Sequence, residues 1–280
     1  MMNGMDAEAH LAHDFPELYA FCTEYEVRRP RNEEQWESLL RIARASEPIL
    51  NDLRTRGLDL VRLDQYTPPE TDLTPLYETV IDWIPRIQDA ATLGVCLGRL
   101  LEPGTRNRVK KNRDLLFGLA RKWNYSESDS PWMLHVLAQC VMKAALARDV
   151  PEIVSWAKND RLSAEARASY TLDLQRFAKK PGLARDTLVG LVDDATAGGA
   201  AVWALAGAMK AEALPLLREL RRSSPNEITR RAAAAAAKKI EVRLGRVTLP
   251  TAKLADLPPG YLSTSIEFDT DQMPEFLACL

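Results

Sequence analysis

Three histidines, His10, His13 and His135, and four cysteines, Cys22, Cys96, Cys140 and Cys279, are all that the 280 residues offer for imidazole or thiol chemistry. The cysteines lie 74, 44 and 139 residues apart, so no C-x-x-C pair exists to hold zinc, build a cluster or cycle as a disulfide. Each reads as a small buried hydrophobe. His10 and His13 flank Asp14 on one helical turn, but in residues expected to fray, and His135 sits inside an apolar run as a core histidine. Asp269-x-Asp271 has the spacing of a metal pair; a strand end passing into a helix N-cap accounts for both acids. The sequence contains no G-x-S-x-G elbow, phosphate-binding glycine loop, H-E-x-x-H or dinucleotide fingerprint. The acid groups Glu33-Glu34-Glu37 and Asp193-Asp194 fall in the opening turns of one helix and at the close of another. The expectation is a protein without a catalytic site, metal or cofactor.

Cations offer more. If Thr105 to Trp123 is one helix, then at 100° per residue Arg106, Lys110, Arg113, Phe117 and Arg121 fall within about 80° of one another. Val109, Leu115, Leu116, Leu119 and Trp123 face the other way. This predicts a stripe of four cations around one exposed aromatic. Arg231 and Lys238, two turns apart and opposite Ile228 and Ala236, predict a second basic patch. Trp83, Trp123, Trp132 and Trp156 are accounted for by core packing. Regularly spaced cations suit an acidic protein surface or a nucleic-acid backbone. For the latter, four cations give a log-affinity slope on log salt near −3.6 and only weak, non-specific binding.

Helical periodicity runs almost without interruption from Phe15 to Leu244, which predicts an all-α body of about ten or eleven helices. It is punctuated at Pro30, Pro68-Pro69, Glu102 to Gly104, Ser126 to Pro131, Pro151, Pro181-Gly182, Gly198-Gly199 and Ser223 to Pro225. Gly198-Gly199 reads as a helix-breaking turn. Toward the end of the body the pattern repeats: Leu188 and Leu191 recur 26 residues later as Leu214 and Leu217. Each is followed by a small-residue helix, the second of which places Ile228, Ala232, Ala236, Ile240 and Leu244 on one side. The run Ala232 to Ala237 combines high helix propensity with close backbone approach.

The segment ALPLLRELRRSSPNEITRRAAAAAAKKI resembles a HEAT repeat: an apolar helix with an early proline (Pro215), a short polar turn, and a small-residue helix opening at Ile228-Thr229-Arg230-Arg231-Ala232. The resemblance covers about residues 184–244. It departs from the pattern at Lys210-Ala211, where the family has Gly-Asp, and at Thr229, where an arginine is usual. The resemblance implies an α-solenoid, or otherwise an irregular right-handed stack of helix pairs, offering an extended surface in place of a closed pocket. Its functional implication is a non-catalytic protein-binding scaffold, such as an adaptor or an immunity-like inhibitor, with an acidic partner. The alternative is a nucleic-acid backbone binder, since some HEAT-like proteins resemble alkylpurine DNA glycosylases.

Residues 247–280 read differently. Leu262, Thr264, Ile266 and Phe268 alternate with Ser263, Ser265, Glu267 and Asp269 as a strand, with Leu58 to Leu63 as a weaker candidate partner. Met273, Phe276, Leu277 and Leu280 then make a short amphipathic helix. The domain reading is a loose N-terminus over 1–14, a helical-repeat domain over 15–246 and a strand-helix appendage over 247–280. Charge follows similar lines. Residues 1–96 carry 9 arginines against 18 acids, net −9; residues 97–246 carry 27 cations against 16 acids, net +11; residues 247–280 carry one lysine against five acids, net −4. Such asymmetry points to surfaces with different partners. With no run of about 18 apolar residues and an acidic, polar start, the expectation is a cytoplasmic protein without membrane contact.

Overall fold

A computed structural model of the chain describes residues 6–23, 30, 32–65, 67, 71–124 and 130–245, and among these residues all regular structure is helical. The 247–280 appendage, with Cys279 and Asp269-x-Asp271, lies outside them. The chain divides into two compact units, Met1–Ala145 and Leu146–Leu280.

The first unit opens with α1 (Ala7–Asp14), whose N-cap Asp6 accepts from the Ala9 amide at 2.8 Å. The expected loose N-terminus is therefore largely a docked helix: Leu11 is fully buried and α1 packs against α3 (Glu33–Thr55). Together with α2 (Pro16–Thr23), these helices enclose Leu18, Cys22, Trp36 and Leu40, with Tyr19 stacked on Trp36 at 5.9 Å. Asn32 caps α3 through its side chain. After α3, Leu58, Leu60 and Leu63 are buried from an irregular segment, so the strand expected at Leu58 to Leu63 is absent. Their pattern reflects insertion into the core without a ladder partner.

The unit continues through α4 (Thr74–Trp83), α5 (Ala90–Arg99), α6 (Arg106–Lys111), α7 (Arg113–Trp123) and α8 (Pro131–Ala144). Helix α8 begins with Ser130 as N-cap and Pro131 in its first turn, and it packs against α5, α6 and α7. Nine of its fourteen residues are buried, which is why its apolar pattern runs almost all round.

The second unit comprises α9 (Val150–Ala157), α10 (Ala164–Asp173), α11 (Leu183–Leu191), α12 (Gly198–Met209), α13 (Leu214–Ser223) and α14 (Glu227–Arg243). Each successive pair, α9 with α10, α11 with α12 and α13 with α14, is in contact; α12 also lies between α10 and α14. The apolar stretch 198–223 is divided at Lys210, which has φ 55, and Ala201, Val202 and Leu205 of α12 are buried. Gly198 and Gly199 open α12 instead of forming the turn before it. A Cβ on Gly198 would stand 2.6 Å from the Val192 carbonyl oxygen and 2.7 Å from Thr229 Oγ1. Glycine is required there by close approach, not by turn geometry.

Candidate functional site

The two basic patches expected from the sequence fare differently. Thr105 to Trp123 is two helices, interrupted at Asn112, whose backbone (φ −99, ψ 23) leaves the helical region and whose amide donates to the Arg108 carbonyl at 3.0 Å. The interruption re-phases everything after it. Arg106 and Lys110 are exposed on α6 and Arg121 is exposed on α7, but Phe117 is only 1% exposed and belongs to the core. Arg113 turns inward, its side chain 17% exposed, and holds its guanidinium 4.6 Å above the Phe117 ring while pairing with Asp114. The aromatic anchor predicted for this face is therefore absent from it.

Sequence reasoning missed a buried polar cluster at the C-terminal end of α5. Arg99 donates to the carbonyls of Leu63 and, at 2.5 Å, Gln65, and pairs with Glu102. Glu102 also accepts from the Tyr77 hydroxyl at 2.7 Å. Burial, together with the Glu102 carboxylate, pushes that phenol up to about 12. Lys143 Nζ reaches from α8 to the Leu100 and Glu102 carbonyls and to Thr105 Oγ1, at 3.1, 3.3 and 2.8 Å. Desolvation lowers its pKa. Lys143 satisfies carbonyl groups that the end of α5 leaves open, and Arg99 satisfies those of Leu63 and Gln65 in the irregular segment, so the cluster closes a helix terminus and pins that segment to it. The only legible signal was a Lys inside an otherwise apolar helix.

Three thiols and two imidazoles lie in settled structural positions, while the buried His10 Nε2 has no hydrogen-bond partner among the described residues. Cys22, Cys96 and Cys140 are buried, and burial pushes the Cys96 and Cys140 thiols up to about 12. The Cys140 thiol donates to the Leu97 carbonyl at 3.3 Å. His135 is half-buried and shares a hydrogen bond with Gln139, and His13 pairs with Asp14. Among the described residues no group of three or more His, Cys, Asp or Glu side chains is placed to hold a metal ion.

In the second unit, one edge is tied by polar groups from consecutive helix ends. Arg167, buried, donates to the Ala157 carbonyl at 3.3 Å and to Asp194 Oδ2 at 2.7 Å. Although burial raises the Asp194 pKa, the Ala197 and Thr196 amides and the Arg167 guanidinium hold it below the usual carboxylate range. The Asn226 amide donates to the Asp194 carbonyl, and Thr229 Oγ1 donates to the Val192 carbonyl. These bonds fix the start of α14 against the loop before α12.

No family model, curated protein or solved structure matches this chain.

Held in that register, α12 and α14 share an open face. Ala232, Ala233, Ala236, Ala237 and Ile240 are buried, which leaves Ile228, Arg231, Ala235, Lys238 and Lys239 outside. Ile228 was expected on the buried side; it is 50% exposed and lies against Gly199, whose Cβ, if present, would meet it at 3.2 Å. Lys239 Nζ lies 5.2 Å from the centroid of Trp203, which is half-buried on α12. Arg231 pairs with Glu227 one turn back, and Lys238 has no ion pair among the described residues. The exposed side of α14 thus carries Ile228, Ala235 and three cations, with Trp203 of α12 half-buried beside Lys239.

Proposed function

We propose that residues 146–245 form a HEAT-like stack of helix pairs, and that the protein is a non-catalytic interaction scaffold whose α12/α14 face takes a protein partner with an acidic surface. The observation that carries this reading is the exposure of Ile228 and the half-buried Trp203 beside Arg231, Lys238 and Lys239. Apolar anchors dominate interface energies, and the surrounding cations supply orientation and rate. Arg106, Lys110 and Arg121 offer charge without such an anchor, so they rank second as a contact surface. Nucleic acid is the weaker fit, because three cations neutralise about three phosphates, giving a salt slope near −2.7 and non-specific affinity only.

The test is affinity purification with the full chain carrying Lys238→Glu and Lys239→Glu, alongside Trp203→Ala and the parent. A partner retained by the parent and lost by both variants is the expected result. Retention of every partner by both variants would remove this face from the interface. Tight, sequence-specific duplex binding by the parent at physiological salt, lost in the same variants, would make the face a nucleic-acid surface.

A further inference from the structure

Helix α14 ends at Arg243, and 35 residues of the chain follow Gly245. Their chemistry is the counterpart of the face beside them. Residues 261–280 contain Glu267, Asp269, Asp271 and Glu275 and no lysine or arginine. Ile266, Phe268, Phe276 and Leu277 are interleaved with those acids. The α12/α14 face presents Arg231, Lys238 and Lys239 around Ile228 and Trp203. We infer that residues 261–280 of the same chain occupy this face and must be displaced before an outside partner binds. The inference rests on reading the face as a partner-binding surface, and it names that surface's resident competitor.

Reach and charge both support an intramolecular contact. The 15 intervening residues, 246–260, span up to about 50 Å when extended, whereas the 17 residues of α14 are about 26 Å long. The segment can therefore return along the whole helix. Tethered at that distance, it acts at a local concentration of order mM, so a contact of about 100 μM intrinsic affinity would be made roughly ten times in eleven. An outside ligand would then bind about tenfold more weakly than to an open face. Like charge is not a barrier: the segment is acidic where the face is basic, and the apolar residues on the two sides complement each other.

Two measurements on the full chain test this. In the first, an equal mixture of ¹⁴N- and ¹⁵N-labelled protein at low micromolar concentration is treated with a carbodiimide, which couples amines to adjacent carboxylates, and coupled peptides are read by mass spectrometry. Expected are same-isotope pairs joining Lys238 or Lys239 to Glu267, Asp269, Asp271 or Glu275, at least fivefold weaker in Phe268→Ala/Phe276→Ala. Mixed-isotope pairs alone would overturn the inference in favour of exchange between two copies, and no coupling at these lysines would overturn it outright. In the second, a labelled peptide of residues 261–280 is titrated into the full chain carrying Glu267→Gln, Asp269→Asn, Asp271→Asn and Glu275→Gln. Binding at least tenfold tighter than to the parent, and abolished by adding Lys238→Glu/Lys239→Glu, is expected. Equal binding to parent and neutralised chain would refute self-occupancy while leaving the face a charge-dependent binding surface. Failure of the peptide to bind the neutralised chain would refute the inference even if Lys238→Glu/Lys239→Glu abolishes partner capture. If that capture is unaffected, the reading of the face itself fails.

Discussion

Helices α6–α7 and helix α14 carry comparable runs of cations, yet only one presents them beside exposed apolar side chains. In α14 the helix is continuous for 17 residues, so spacing along the sequence translates directly into position on a surface. In α6–α7 a single non-helical residue, Asn112, re-phases the second half and takes Phe117 into the core with Arg113 folded over it. A face inferred from i, i+3, i+4 and i+7 is thus only as secure as the uninterrupted helix beneath it.

The largest expected effect lies on the interrupted side. If Phe117 is core, Phe117→Ala should destabilise the protein by about 3–5 kcal/mol through lost burial and a residual cavity. Chemical denaturation followed by circular dichroism measures this; a loss below about 1 kcal/mol would restore Phe117 to the surface.

Next comes the bond network that sets the start of α14. Asp194→Asn should cost about 2–3 kcal/mol at neutral pH, because it leaves the buried Arg167 guanidinium without its carboxylate. The sign with pH follows from the lowered pKa of Asp194. Its contribution is fully present above the unfolded-state value, near 3.9, and is lost as pH falls through the lower folded-state value. Parent and variant stabilities should therefore converge under acid, measured as denaturation midpoints between neutral pH and pH 2. A gap that stays constant would assign the cost to packing.

A smaller effect separates cause from consequence at the break. Asn112→Ala removes the side-chain hydrogen bond from Nδ2 to the Arg108 carbonyl but favours helix, so a net change within about 1 kcal/mol is expected. Hydrogen exchange should show the interruption persisting, because the burial of Phe117 holds α7 in phase. Fusion of α6 and α7 into one protected helix would show that Asn112 alone imposes the break. The smallest change in stability belongs to Lys238→Glu/Lys239→Glu. Exposed substitutions of this kind stay within about 0.5 kcal/mol, beyond the modest loss of the Lys239–Trp203 contact. The same unfolding assay checks that any binding defect is not a folding defect.

The helical class and the course of α14 were legible because periodicity is a local property. Helix α1 was not: its two buried residues, Ala7 and Leu11, are held by packing against α3, and eight residues carry too little periodicity to announce it. The segment Leu58 to Leu63 reads as a strand because its three leucines enter the core between exposed or half-buried residues, and that pattern does not reveal whether hydrogen-bonding neighbours exist. For the site, the cations of α14 were readable but the exposure of Ile228 was not, since it depends on Gly199 of another helix. The polar cluster at the end of α5 joins residues from 63 to 143, a separation that no window along the sequence spans.

Cys96 on α5 and Cys140 on α8, both sealed in the first unit with thiols near pKa 12, also make the protein a clock of its own opening. In the closed state at pH 7 these thiols are held in the protonated, unreactive form, whereas a solvated cysteine is a few per cent thiolate. A thiol-specific reagent will therefore label these two positions almost entirely during excursions that separate α5 from α8. Read peptide by peptide, the labelling rate follows the opening rate where the reagent outpaces reclosing, and the open population where it does not.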